Sequence, residues 1–309
     1  MMTMTEHETV LLQEAVAALV VNKSGCYVDA TFGRGGHSRK IIETLDERAQ
    51  LLAIDKDVAA IDRAKHEFSS DTRFKIAHGS FADVKEHLST FGISKVDGVL
   101  ADLGVSSPQL DDATRGFSFM NEGPLDMRMD TTKGQTAAEW IATNDEAEIA
   151  KVLREYGEEK FSKRIARAIK EESNVAPLAT TLALAKVVSD ANPSWEKHKH
   201  PATRSFQAIR IFINKELADL ETFLSHVLAV LKPGGRLAII SFHSLEDRIV
   251  KRFIQKQVNG DDFPIDLPIT TAKLNKKLKK VGKLITPTEA ELEVNPRARS
   301  GRLRIAEKL

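Results

Sequence analysis

The stretch Asp29-Ala30-Thr31-Phe32-Gly33-Arg34-Gly35-Gly36-His37 constrains this chain more than any other. It follows the short apolar run Cys26-Tyr27-Val28 and precedes a helix-like run from Ser38 to Leu45. A strand that breaks on glycines and re-enters as a helix leaves backbone N–H groups free at the helix start. Small residues there let a ligand approach the main chain. A second strand-like run, Leu51-Leu52-Ala53-Ile54, ends on Asp55, 22 residues after Gly33. A nucleoside-binding βαβ unit places at that point the carboxylate that accepts the ribose hydroxyls. The glycine loop and Asp55 therefore offer a nucleoside site within the first 60 residues.

The loop also says which nucleosides to exclude. A dinucleotide fingerprint needs G-x-G-x-x-G, whereas the glycines here read G-x-G-G and the third position falls on Ser38. No G-x-x-x-x-G-K-[ST] phosphate cradle occurs. Asp29, placed before the glycines, would repel a pyrophosphate. It suits a ligand carrying positive charge, such as the ammonium or sulfonium of S-adenosylmethionine.

Strand-like runs recur at 26–31, 51–54, 74–77 and 96–101, separated by helical patterns at 38–45, 58–68 and 84–91. This βα rhythm predicts a parallel sheet covered on both faces. It stops after Asp102. From 111 to 200 only helical periodicity is found, around 137–143, 146–156, 161–171 and 178–191. The rhythm returns with one long helix over 205–231, a turn at Lys232-Pro233-Gly234-Gly235, a strand over 236–241 and a helix over 245–258. The expected organisation is a doubly wound α/β domain of residues 1–110 and 203–309, interrupted by a helical domain of residues 111–202. Three of the four readable strand ends present a carboxylate: Asp29, Asp55 and Asp102. The other is Gly79-Ser80-Phe81. In a doubly wound sheet such ends converge on one crevice.

Charge adds a second theme. Residues 267–309 hold 11 Lys or Arg against 4 Asp or Glu, in a chain whose net charge is only +1. Such a basic tail is a footprint for a polyanion. Arg297, Arg299, Arg302 and Arg304 alternate, as residues on one strand face would, and are candidates for phosphate contact. Arg204, Gln207 and Arg210 share one face of a helix start and could hold phosphates or pair with acids. One cysteine, Cys26, excludes a disulfide framework and a Cys-based zinc site. His243 beside Glu246 and Asp247 does not match a metal-ligand frame and is read as a base contact. His198 and His200 are read as a solvated loop, and no metal is expected. No basic-then-apolar leader and no membrane-length apolar run are seen, so the expected address is the cytoplasm, without membrane association.

Several segments together carry a resemblance. They are the glycine loop, Asp55, Asp102-Leu103-Gly104-Val105-Ser106-Ser107-Pro108-Gln109-Leu110-Asp111, Arg115-Gly116-Phe117-Ser118-Phe119, and the run from His200 to Arg210. Ser241-Phe242-His243-Ser244-Leu245-Glu246-Asp247 and Asn295-Pro296-Arg297-Ala298-Arg299-Ser300 complete the set. Across nearly the whole chain, the sequence resembles the ribosomal RNA small subunit methyltransferase H family, bacterial enzymes that methylate the exocyclic nitrogen of a cytosine in 16S ribosomal RNA. The resemblance implies a class I methyltransferase (Rossmann-like) fold, a doubly wound, mostly parallel sheet with an inserted helical domain for substrate recognition. It implies S-adenosylmethionine contacts at Gly35, Gly36, His37, Asp55, Phe81, Asp102 and Gln109. It implies 16S ribosomal RNA as partner, within the small ribosomal subunit or its precursor, and leaves a homodimer open. Many methyltransferases place an acid where Ser80 stands, to hold the adenine amino group. Here a backbone group or Asp83 is left for that task.

An amine target fits the residues. Methylation at carbon 5 of a pyrimidine needs a cysteine nucleophile, and Cys26 sits at the start of a strand, away from the crevice. An exocyclic amine needs an acceptor for its hydrogen. Asp102 and the carbonyls of Ser106 and Ser107 are the catalytic candidates. Two other readings stay open at this point: an amine methyltransferase acting on other nucleic acid or a small molecule, and a cofactor-binding ribosome assembly factor without turnover.

Overall fold

In the computed structural model, residues 9–194, 200–261 and 274–309 are described. Contacts divide the chain into two units, Met1–Gly104 with Leu217–Leu309, and Val105–Glu216. The helical segment expected over 111–202 falls within the second unit.

The chain order is α1 (Leu12–Leu19), β1 (Cys26–Asp29), α2 (Gly36–Thr44), β2 (Gln50–Asp55), α3 (Val58–Glu67), β3 (Phe74–His78), α4 (Val84–Thr90) and β4 (Val96–Asp102). Then come α5 (Ser107–Asp111), α6 (Ala137–Thr143), α7 (Glu146–Gly157), α8 (Ser162–Val175), α9 (Thr181–Ala191) and α10 (Thr203–Asn214). The chain closes with α11 (Glu216–Val230), β5 (Leu231–Ser241), α12 (Ser244–Asn259), β6 (Leu278–Lys280), α13 (Glu289–Val294) and β7 (Arg302–Lys308).

The first unit is built on a seven-stranded sheet in the order β3-β2-β1-β4-β5-β7-β6. β1 to β5 run parallel, and β7 is antiparallel to both β5 and β6. This is the doubly wound, mostly parallel α/β sheet that the βα rhythm predicts. Alternate strand residues feed two separate cores. Val28, Leu52, Ile54, Val99 and Ala101 pack with α4, α11 and α12. Tyr27, Leu51, Ala53, Leu100 and Ile240 pack with α1, α2 and α3. Burial on both faces is why these strands read as unbroken apolar runs rather than alternating ones.

The second unit has its own core. Leu125 and Met127 join Trp140 and Ile141 of α6, Leu153 of α7, Ile165 and Ile169 of α8, Leu184 and Val188 of α9, and Phe206 and Ile209 of α10. Amphipathic spacing at i, i+3 and i+4 on each helix supplies that stripe.

Three expectations need correction. The single helix over 205–231 is two, because Lys215 takes a left-handed conformation (φ 55°, ψ 32°) that ends α10. Neither glycine nor proline marks that break. The strand expected at 236 begins at Leu231: Val96 pairs with Leu231 and Gly98 with Arg236, so 232–235 form a bulge within β5. The four tail arginines do not share a strand face. Arg297 and Arg299 lie on a 3₁₀ helix, Pro296–Ser300, and only Arg302 and Arg304 are on β7. α1 was not foreseen; its nearly continuous apolar run, Leu12–Leu19, covers the second core.

Candidate active site

β1, β2 and β4 are parallel neighbours, so their carboxyl ends lie side by side, and each ends on an aspartate. Asp29 is fully buried. Its Oδ1 accepts the Thr31 N–H (3.2 Å) and its Oδ2 the Ser38 hydroxyl (2.7 Å), which ties β1 to the first turn of α2. Burial, with a smaller push from the Asp55 charge, lifts its pKa to about 7. At the end of β2, Asp55 accepts the Gly33 N–H at 2.7 Å and the Asp57 N–H at 2.8 Å. Desolvation raises its pKa to about 6, against those two bonds and a third from the Lys56 backbone.

The glycine loop runs between these carboxylates. Gly33 and Gly35 have φ of 53° and 77°, and Gly35 caps α2 in the left-handed region. A Cβ on Gly36 would fall on the Thr9 side chain, and one on Gly35 would meet the Phe32 ring. The space the sequence suggested for a ligand at those two positions is therefore shaped by the chain's own packing.

His37 is buried, and its Nδ1 lies 3.7 Å from Asp102 Oδ2. Burial lowers its pKa to about 4, against a hydrogen bond with the Val10 backbone, so the ring is neutral at pH 7. Asp102 donates its N–H to Thr31 Oγ1 at 2.6 Å. Its carboxyl is held well above the usual range by burial and then by the charges of Asp29 and Glu246. His37 Nε2 and Asp102 Oδ1 are buried with no hydrogen-bond partner. The charged groups that act on Asp29 and Asp102 are thus other carboxylates. Such a cluster is costly alone and favours a bound cation.

Glu246 was read only as a neighbour of His243, yet it is 2% exposed. Its Oε2 accepts the Phe242 and His243 N–H groups at 2.9 and 3.3 Å. His243 Nδ1 in turn accepts the Glu246 N–H at 3.4 Å, closing a capping box at the start of α12. The spacing of three residues before an acid is the sequence signal, although the cap is His rather than Ser or Thr. The cap holds the His243 ring through Nδ1, and its Nε2 lies 3.1 Å from Glu246 Oε1.

Phe81 opens a 3₁₀ turn after β3 and packs edge-on against Phe223 at 5.4 Å. An acid stands beside Ser80, and it comes from α11. Asp219 Oδ2 accepts the Ser80 hydroxyl at 2.5 Å and pairs with Lys56 Nζ at 2.5 Å. Sequence reasoning missed it, since 139 positions separate Ser80 from Asp219.

In the second unit, Gln109 is buried and its Oε1 accepts the Ser106 N–H at 2.9 Å, fixing the start of α5 at Ser107. Arg204, Gln207 and Arg210 are half-buried on one side of α10. Arg204 Nη1 donates to the Glu158 carbonyl at 2.9 Å, and Arg210 makes a two-pronged pair with Glu216 at 2.8 and 2.9 Å. Arg304 does the same with Asp247, at 2.7 and 3.1 Å, and Arg302 joins at 3.5 Å. Arg297 and Arg299 are exposed. Cys26 stands at the other end of β1 from Asp29, and burial with the Asp97 charge pushes its thiol up to about 11. His198 lies outside the described residues.

The chain is 56% identical over 308 residues to ribosomal RNA small subunit methyltransferase H of Marinomonas sp. (strain MWYL1), covering 99% of this chain and 98% of that one. It is 54% identical over 307 residues to the protein of the same name from Legionella pneumophila (strain Paris), covering 99% and 100%. A solved rRNA methylase from Streptococcus thermophilus aligns over 96% of this chain and 93% of its own, at 11% identity and a TM-score of 0.39. The model of the MraW methylase family matches residues 4–309. With sequence match running from end to end, the chain belongs to the MraW methylase family.

Proposed function

We propose that this protein transfers a methyl group from S-adenosylmethionine to the exocyclic N4 amine of a cytidine in the decoding region of 16S ribosomal RNA. The observation that carries the reading is the row of carboxyl groups at the strand ends, in which the Asp55 charge acts on buried Asp29 and the charges of Asp29 and Glu246 act on half-buried Asp102, beside a neutral His37. A cationic cofactor relieves that repulsion, and the family membership makes the cofactor a methyl donor. S-adenosylmethionine supplies an electrophilic methyl group on a positively charged sulfur.

The residues divide the work by position. The Asp55 carboxylate already accepts backbone N–H groups of Gly33, Asp57 and Lys56, and its remaining acceptor capacity is assigned to the ribose hydroxyls. Asp29, Gly33, Gly35, Gly36 and His37 line the methionine side, and Phe81 lies on the base side beyond β2. Gln109 is assigned a cofactor contact by the family resemblance. Asp102 Oδ1, buried and unpartnered, accepts a hydrogen of the target amine. That interaction turns the nitrogen lone pair out of conjugation, and the Ser106 and Ser107 carbonyls are assigned the same task. In-line positioning supplies most of the acceleration. The Cys26 thiol, raised and at the far end of its strand, cannot serve a covalent route to ring carbon, which favours an amine.

The base must leave its pair before reaction, since its amine is engaged there. The second unit, Arg297 and Arg299 are assigned to holding RNA, presented within the small subunit or its precursor. Mass spectrometry of small-subunit RNA nucleosides, with and without the protein and cofactor, tests the reading. N4-methylcytidine should appear only with both. Its absence, or a methyl group on another atom, would reject the assignment.

A further inference from the structure

α12 carries four exposed cations, Arg248, Lys251, Arg252 and Lys256. Its two acids, Glu246 and Asp247, are only 2% and 8% exposed. Glu246 closes the helix cap, and Asp247 holds Arg304 and Arg302. The ionisable groups on the outer side of this helix are therefore all positive.

The fold extends that surface. After the helix the described chain resumes at Leu274 and runs back along it: Lys277 donates its N–H to the Gln257 carbonyl at 2.9 Å, and Lys280 Nζ reaches Gln255 Oε1 at 2.6 Å. Exposed Lys276, Lys277, Lys279 and Lys280 so come to lie beside α12. Among the described residues, the exposed or half-buried acids here are Glu307, shared by Arg236 and Lys279, and Asp261 at the helix end. Sequence reading places the basic footprint in the tail, beside the candidates Arg204, Gln207 and Arg210; tertiary structure joins the tail to a helix that starts at the active site. Lys256 lies about 20 Å along the axis from His243, and a strand of nucleic acid rises about 3.4 Å per nucleotide.

A positive face of this kind suits either nucleic acid or an anionic lipid surface. Lipid docking by a helix needs large apolar side chains beside the cations. Among the described residues, none of the exposed large apolar side chains lies on α12. The α8 face offers a weaker alternative, since its Lys163, Arg164 and Arg167 are followed by Glu171 and Glu172 on the same helix.

We propose that the face formed by α12 and β6 is a docking track for the phosphate backbone of the RNA substrate, leading away from the Asp102 crevice. The proposal rests on the reading that the substrate is RNA, and fixes where a flanking strand runs.

The test is the variant Lys251→Ala, Arg252→Ala, Lys256→Ala in the full chain, with binding to purified small-subunit ribosomal RNA measured across a salt series. Alanine keeps the helix, and unchanged thermal unfolding and cofactor affinity confirm that the unit is intact. Loss of three phosphate contacts should reduce the slope of log affinity against log salt by about 2–3, and weaken binding about tenfold or more at low salt. KM for RNA should rise while kcat at saturating RNA holds. A control variant, Lys23→Ala, Lys65→Ala, Lys85→Ala, changes net charge equally on other surfaces and should keep the parent slope. An unchanged slope in the α12 variant overturns the proposal, as does an equal loss in the control. Binding of the parent to phosphatidylserine vesicles but not to RNA would assign the face to lipid and overturn it too. Because binding is read without turnover, a parent that binds RNA through α12 but makes no N4-methylcytidine would reject the proposed reaction and keep this surface.

Discussion

Replacing Asp29 with asparagine should make the free protein more stable and the cofactor site worse. Asp29 is fully buried and its pKa is displaced from an ordinary 3.8 to about 7. Below about pH 4 its carboxyl is protonated in both folded and unfolded chains. Between 3.8 and about 7 the folded chain keeps a proton that the unfolded chain has lost, so stability falls as pH rises through this window. The full displacement is worth about 4 kcal/mol, and relaxation around the charge should leave about 2–4 kcal/mol above pH 7. Asparagine keeps the shape, can accept the Thr31 N–H and can donate to the Ser38 hydroxyl, which turns to accept. Asp29→Asn should therefore match the parent near pH 4 and exceed it by about 2–4 kcal/mol at pH 8. His37, lowered to about 4, acts in the opposite sense between 4 and 6.5, but equally in both proteins. Urea unfolding at a series of pH values reads the difference directly. At pH 8 the same variant should bind S-adenosylmethionine at least about tenfold more weakly by calorimetry, since a charge–cation attraction is gone. Parallel stability curves for variant and parent would refute the claim that a strained carboxylate is kept there for a cation.

Asp55→Ala should lower cofactor affinity by about tenfold or more by calorimetry, from lost charge-assisted bonds of about 1.5–3 kcal/mol each. Because Gly33 and Asp57 lose their acceptor, faster amide exchange at Gly33 should accompany it. Asp102→Ala should reduce kcat in a labelled methyl-transfer assay more than it reduces cofactor affinity, and equal losses would make Asp102 a cofactor residue only. Arg304→Ala should destabilise the fold by about 1–3 kcal/mol in urea, because Asp247 loses its two-pronged partner and keeps the 3.5 Å contact with Arg302. Arg297→Ala with Arg299→Ala should reduce the salt slope of RNA binding by about 1.5, and an unchanged slope would remove both from the RNA surface.

Residue order alone determined the parts of this protein that depend on near neighbours. Strands buried on both faces must read as apolar runs, so β1 to β4 were legible, and an aspartate at a strand end needs only its own strand to be placed there. Asp29, Asp55, Asp102 and the glycine loop were found for that reason, as were α6 to α9 from their single apolar stripes. Tertiary structure decided what depends on pairing across the chain. The break at Lys215 has no glycine or proline to announce it. Asp219 reaches Ser80, Thr9 fills the space beside Gly36, and Asp247 takes Arg304, each across a long stretch of sequence. Arg302 and Arg304 read as phosphate ligands until the sheet set β7 beside α12, where an acid meets them. Side-chain charge is a property of the residue, but whether it is offered to a partner or neutralised within the fold is settled by which strands and helices become neighbours.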